Sequence, residues 1–452
     1  MNSLKACAGA MVVMLMMGVQ TGLSQAQQGD GARLRQLEEE LGKIREEVDA
    51  LKKERPKEPA KFPIDFGASI TIRYDYTKVE DQTDLLLDDN TTEGFRTRDR
   101  FWAKFEPDGP VNAGLRLTTG GDSKTSPFVR LGDLFQSKSF RLDQLYITVH
   151  PMQFFDNRPR SELPADLSLH FGKIPQPFWL GDWGTWASEL IWDQDVNPEG
   201  VAVKLSVPKA MPMLGLEGTV GYFILQEVTD ARFSGLTGDA YLVAGQLKLW
   251  VDPATLAFTF YNYDHLNAGL RAPNFSPGSG AFLAPGEAAF LLRSGIQHTN
   301  NQLDFGPGAI GFVKEHFQVI NLTGQVHFAI PVLPALAPEI FLVGDYVNNL
   351  SLGRDDQGYG LTLWLRGGGK QGSGVNPFSF WFTYRNVDAD ATLAASADSD
   401  LGAGTAYRGF EVAANYRLHR NLLFQISGFH FEGFPNKDNT VSRIFFDLIA
   451  NF

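Results

Sequence analysis

With 452 residues and 52 acidic against 40 basic side chains, the chain has a formal net charge of -12, the wrong sign for holding nucleic acid. Its single cysteine, Cys7, lies near the N-terminus, so the body has no thiol for a disulfide, a cysteine metal site or a cysteine nucleophile. Beyond the N-terminal run no stretch of eighteen apolar residues occurs, which excludes spanning helices, while 35 Phe and 46 Gly suit a sheet that is apolar on one face.

The first 26 residues read as a signal peptide: Lys5, an apolar run from Ala6 to Val19, and small residues in Ser24-Gln25-Ala26, with cleavage expected after Ala26. Residues 27–61 follow as a helix and linker. Leu34, Leu37, Leu41, Ile44, Val48 and Leu51 alternate at spacings of three and four, the seam of a short coiled coil. Either it joins several protomers, three being expected, or it is an amphipathic helix lying on the body. Pro56 and Pro59 stop it and stiffen the linker.

From 62 to 452 the pattern is all-β, with strands of about ten residues and alternating polarity, as in a transmembrane antiparallel barrel. The predicted strands are 65–79, 94–106, 111–119, 140–150, 166–173, 199–207, 215–227, 239–251, 254–264, 316–330, 337–349, 356–367, 376–387, 406–418, 421–432 and 441–452. Sixteen is an even count, as closure requires with both ends on one side. Connections alternate between tight ones, such as 106–110 and 418–421, and long ones at 120–139, 174–198, 265–315 and 388–405. The tight set is expected to be periplasmic; 151–165 is long yet periplasmic by count. Asp99 shares a face with Phe101, Ala103 and Phe105, which points to a protomer contact or a register error.

Strand 376–387 sets Phe378, Phe380, Phe382 and Tyr384 against Ser379, Trp381, Thr383 and Arg385. A charged inner face cannot be dry without costing several kcal/mol per unpaired ion, so the lumen is expected to be aqueous. Sixteen strands is also the size at which side chains no longer fill it. The last strand sets Ile444, Phe446, Leu448, Ala450 and Phe452 against Arg443, Asp447 and Asn451, with Phe445 and Ile449 interrupting the polar face. It resembles the C-terminal insertion signal that the barrel-insertion machinery reads on bacterial outer-membrane barrels.

A barrel this wide sieves solutes only with a constriction. Connection 174–198 holds Trp179, Trp183, Trp186 and Trp192, which seek burial, beside Asp182, Glu189, Asp193 and Asp195. It either folds into the lumen with its acids facing the pore, caps the mouth, or forms a lid at a trimer contact. The expected pore-lining bases are Arg73, Arg96, Arg98, Arg100, Lys104, Arg116, Lys204, Lys248, Arg366, Arg385 and Arg417. The plain alternative pairs them with Asp75, Glu217, Glu411 and Asp447 along the wall. Asp81, Asp84, Asp88 and Asp89 read as a solvated acidic loop, with a divalent cation as the alternative. Phosphate loops, paired metal histidines and Gly-x-Ser-x-Gly elbows are absent, so no catalytic residues, no metal and no cofactor are expected.

Four short motifs carry a family resemblance: Thr118-Thr-Gly-Gly-Asp122, Gly132-Asp-Leu-Phe135, Leu142-Asp-Gln-Leu-Tyr-Ile-Thr148, and Phe171-Gly-Lys-Ile-Pro175 leading into Trp179. With the Phe ending, they make the chain resemble a bacterial family of outer-membrane porins and, in layout, the trimeric sixteen-stranded substrate-selective porins. The resemblance implies a homotrimer with a periplasmic coiled coil in an outer-membrane lipid bilayer; it gives no substrate. The expected function is a water-filled channel for passive diffusion of small hydrophilic or anionic solutes, not an enzyme. One alternative is a specific channel for sugars or organic acids, with Trp102, Trp250, Trp364 and Trp381 as stacking surfaces. Another is a structural tether from the outer membrane to the cell wall.

Overall fold

Side chains of an extended chain point alternately to its two faces, so the period-two pattern yields strands with one apolar and one polar side. The computed structural model describes residues 64–452 except 82–89, 108, 121–125, 133–135, 157, 182–188, 212, 227–238, 267–301, 305–309, 313–315, 331–337, 354–355, 368–377, 402–403 and 434–438, together with residues 39, 42 and 43. Sixteen long strands form one antiparallel sheet: β1 Ile64–Asp81, β2 Asn90–Phe105, β3 Val111–Thr119, β4 Phe140–Val149, β5 Asp166–Lys173, β6 Glu199–Met211, β7 Leu214–Gln226 and β8 Ala240–Val251. The second half comprises β9 Ala254–Asp264, β10 Phe317–Ala329, β11 Glu339–Asn349, β12 Gln357–Gly367, β13 Phe378–Val387, β14 Tyr407–His419, β15 Leu422–Glu432 and β16 Asn439–Asn451. Each predicted strand is present. β1 and β2 run further than their alternation suggests because they go on pairing to Val79 and Asn90.

Each strand pairs with its neighbour in sequence, and β16 returns to β1 from Ser69↔Asn451 to Asp81↔Asn439. Beyond the last ladder residue, the Phe452 amide donates to the Ala68 carbonyl at 2.9 Å and the Ala68 amide donates back at 3.2 Å. The barrel is closed. Across this seam the Arg73 guanidinium donates to both carboxylate oxygens of buried Asp447, at 2.8 and 3.0 Å. Phe128 and Phe445 lie on either side of it, 4.0 and 4.1 Å from the guanidinium carbon. Phe445, which broke the polar face in sequence, is thus buried under an inward arginine. Phe446 and Leu448 are 39 % and 41 % exposed on the other face, whereas Asp447 between them is 2 % exposed.

Asp99 lies on the outer face with exposed Phe101 and Phe105, so the register holds and the carboxylate does face outward. It accepts from Thr97 Oγ1 at 2.8 Å, and its amide donates to Thr119 Oγ1 at 2.8 Å. In β4 the alternation slips: a bulge opposite Arg116 and Leu117 turns both Asp143 and Gln144 inward. Connection 150–165 folds into two short 3-10 helices, Pro151–Phe154 and Arg160–Glu162. His150 at its base meets Asp166 Oδ1 through Nδ1 at 3.0 Å and Arg160 Nη1 through Nε2 at 2.8 Å, which accounts for an ordered connection of this length.

Not all of the inner face is polar. Phe223, Leu242, Ala244, Tyr261, Tyr263, Phe317, Val319 and Val347 form a dry inner patch, buried because connections fold onto it. The chain divides into Met1–Phe62 and Pro63–Phe452. In the first unit Glu39, Gly42 and Lys43 are helical, with Lys43 Nζ 3.3 Å from Glu39; Leu34, Leu37, Leu41, Ile44, Val48 and Leu51 lie outside the described residues.

Asp447→Ala leaves the buried Arg73 guanidinium with the more distant Asp400, at 3.7 Å, and is expected to destabilise the seam by about 3 kcal/mol. The readout is a lower temperature for the shift between folded and unfolded gel mobility. The combined change Arg73→Met with Asp447→Leu should recover most of that loss.

Candidate functional site, a braced constriction in the lumen

Connection 174–198 enters the lumen. Ile174, Phe178, Trp179, Leu180, Leu190, Ile191 and Trp192 are buried on the inner faces of β7 to β9. The Phe178 ring meets Tyr261 edge-on at 5.7 Å and Phe223 at 6.1 Å, and Trp192 Nε1 donates to the Tyr261 hydroxyl at 3.2 Å. The Trp179 amide donates to Gln246 Oε1 at 2.7 Å, and Gln246 Nε2 donates to the Trp179 carbonyl at 3.1 Å. Burying each large apolar side chain contributes about 1.5–3 kcal/mol, enough to offset the ordering of a loop. Asp182, Trp183 and Trp186 lie outside the described residues.

A second outer connection, 388–405, also folds inward, which the sequence reading missed. Ala391, Leu393, Ala394, Ala395, Ala397 and Leu401 are buried. The available signal was the run Ala-Thr-Leu-Ala-Ala-Ser-Ala from 391 to 397, small and uncharged where an exposed tip carries polar residues. The two loops brace each other. The Asp193 amide donates to the Ser396 carbonyl at 2.7 Å, and the Ser399 amide and hydroxyl donate to Asp193 Oδ2 at 3.0 and 3.1 Å. Arg385 of β13 donates to Glu189 at 2.6 Å and also to Asp398, so one guanidinium holds both loops. Arg443 of β16 donates to the carbonyls of Ser399 and Asp400 at 2.9 and 2.8 Å.

The basic wall is matched by carboxylates. Arg98 and Arg100 converge on Asp195, the former at 3.1 Å. Arg116 pairs with Asp143, Arg96 with Asp75 at 2.8 Å, and Arg366 with Glu339. Lys204 and Lys248 stand 3.5 and 3.8 Å from Glu217. Arg417 donates to the Arg420 carbonyl at 3.3 Å, and Lys104 pairs across the sheet with Asp65 and Gly114. Asn197 ties the Arg116 group to the loop, donating to Asp143 at 2.8 Å and accepting from Gln144 at 2.7 Å. Asp193 and Asp195 are 5 % and 8 % exposed, so they hold loop to loop and loop to wall rather than offering carboxylates to the pore. Sequence reasoning missed Asp143, Gln144, Asn197, Asp398, Asp400 and Arg443. Leu142 and Leu145, both apolar at a spacing of three inside a strand, marked the bulge that turns two of them inward.

Burial pushes the carboxyl groups of Glu189, Asp193 and Asp400 above their usual range, Glu189 and Asp193 strongly. Burial pushes Asp195 the same way, but Arg98 and Arg100 outweigh it and hold the group below that range. An acid with a raised pKa when docked binds more protons docked than free, so docking strengthens as pH falls towards the ordinary carboxylate value near 4. Asp195 opposes this only once pH drops below that value. Gating noise of the open channel is therefore expected to be lower at about pH 5 than at about pH 8, and Asp193→Asn should flatten the difference. Noise that rises steadily on acidification contradicts it.

The structures it is similar to are porins at low identity. OprB of Pseudomonas putida, in a high-pH structure, is 11 % identical with a TM-score of 0.46, covering 86 % of this chain and 94 % of that one. Salmonella typhi OmpF, in complex with daunomycin, is 9 % identical with a TM-score of 0.44, covering 86 % and 97 %. A mutant of the Rh. blastica porin is 13 % identical with a TM-score of 0.40, covering 86 % and 100 %. No curated protein sequence matches the chain. A porin family model matches residues 42–452. On that match the chain, whose sheet closes on itself around a braced lumen, belongs to the family described as Putative porin.

Proposed function

We propose that this outer-membrane porin passes small hydrophilic solutes by passive diffusion through the space between its two inward loops and the facing wall. The observation that carries this is a closed sheet, apolar outside, whose charged inner face is only partly covered by connections 174–198 and 388–405. In this reading Arg73, Arg96, Arg98, Arg100, Lys104, Arg116, Lys204, Lys248, Arg366, Arg385 and Arg417 line the pore, and Trp179, Glu189, Trp192, Asp193 and Asp195 shape its constriction. Because most of these bases are held by carboxylates, size and polarity govern passage more than sign of charge. Ile444, Phe446, Leu448 and Phe452 serve as the insertion signal and then face lipid.

The protein assembles as a homotrimer through the periplasmic helix seam of Leu34 to Leu51. Asp99 supports self-association, since an ionisable side chain on a lipid-facing wall is costly and a protomer contact would shield it. Planar bilayers should record stepwise ohmic conductance, and liposomes carrying the protein should swell in small sugars but not in large oligosaccharides. Impermeable liposomes overturn the channel. Light scattering of the detergent-extracted protein should give three chains, with deletion of 33–54 lowering the temperature at which they separate; a single-chain mass overturns the trimer.

A further inference from the structure

One open space in the lumen lies against β12 to β16. It is a cavity of about 340 Å³ whose charged lining comprises the guanidinium groups of Arg73, Arg366, Arg385 and Arg417 and the carboxylates of Glu189, Asp398, Asp400 and Glu411. Four charges of each sign leave no formal excess. Three of the guanidinium groups are already engaged, Arg73 on Asp447, Arg366 on Glu339 and Arg385 between Glu189 and Asp398. An incoming carboxylate could take one of these three only by breaking an ion pair, at a cost of several kcal/mol; Arg417, on the Arg420 carbonyl, stands at the edge of the group.

The wall itself is shaped. One row across the sheet reads Trp364, Trp381, Ala413, Ser427 and Phe445 on consecutive strands. The two small residues between the indole pair, 5.2 Å apart at their centroids, and the phenyl ring are themselves covered: Ala413 and Ser427 are each 2 % exposed, and the Phe429 ring packs 5.0 Å from Phe445. The cavity lies beside Trp381 rather than over Ala413. Along one side of it runs a polar row of Ser379, Asn415 and Gln425, and along the other Thr383, Glu411 and Phe429. Trp381 Nε1 donates to Glu411 Oε1 at 2.9 Å, which fixes the indole and leaves the other carboxylate oxygen as an acceptor. Ser379 donates to Asn415 Oδ1 at 2.9 Å, leaving the Asn415 amide hydrogens to donate.

We propose that the part of this cavity beside Trp381 is a binding subsite for neutral polyhydroxylated rings, a pyranose lying with its C–H face on Trp381 and its hydroxyls on Asn415, Gln425 and Glu411. An indole offers such a ring an apolar face, and flanking amides exchange hydrogen bonds with hydroxyls without the desolvation cost of a free charge. The inference rests on the channel reading above and names the solute class that the channel retains.

The test is solute block of single-channel current, with glucose, maltose and glucuronate as probes. Maltose and glucose should interrupt the current reversibly in the millimolar range, more strongly than glucuronate. Trp381→Ala should weaken this block about tenfold while open conductance persists, the scale of one aromatic contact. Asn415→Leu, which removes the amide beside the ring and keeps the indole, should weaken it as well and serves where the first variant inserts poorly. Sugar-insensitive current through an open channel overturns the subsite and leaves the channel standing, as does tighter block by glucuronate. Absence of any conductance overturns both.

Discussion

In hydrocarbon no water is available to satisfy a backbone amide or carbonyl, and each one left unpaired costs several kcal/mol, so a sheet survives there only if it has no edge. The pairing of β1 with β16 supplies that condition, down to the exchanged hydrogen bonds between Ala68 and Phe452. The other features follow from it. Closure fixes an inside and an outside for each residue, and period-two alternation then sends Phe446 and Leu448 to lipid and Asp447 to Arg73. It also fixes neighbours: residues some 370 positions apart in sequence become a bidentate pair.

Within the closed wall, apolar burial and ion pairing divide the task of holding the constriction. The rings of Phe178, Trp192, Tyr261 and Phe223 supply net stabilisation, because their burial gains free energy without a compensating desolvation cost. The pairs Arg385 with Glu189 and Asp398, and Arg98 and Arg100 with Asp195, roughly break even against desolvation; they specify where each loop sits. Arg385 joins both loops to one strand, and Asp193 joins the loops to each other, so the two segments form one braced body.

That arrangement divides the lumen. The described residues of 174–198 and 388–405 cover a dry, aromatic stretch of β7 to β11, and a polar cavity lies where the wall of β12 to β16 faces them. In the proposed reading, matched charges around that cavity leave a hydrophilic passage with little preference of sign, and its aromatic row gives a neutral solute a place to rest. Both properties come from the register between strands, since Trp364, Trp381, Ala413, Ser427 and Phe445 occupy one row only because five strands pair without a shift there.

The sequence by itself determined the sixteen long strands and, outside the bulge in β4, the side of the sheet their residues take, because alternation is a local property of an extended chain and needs no knowledge of distant partners. It also marked 174–198 as a segment seeking burial, since four tryptophans in one connection have few other places to go. Which carboxylate meets which arginine, the inward fold of 388–405, the bulge that turns Asp143 and Gln144 together, and the cavity beside Trp381 were decided only by tertiary structure. Each of these depends on residues far apart in sequence becoming neighbours when the barrel closes, and the choice among chemically equivalent partners is made by distance alone.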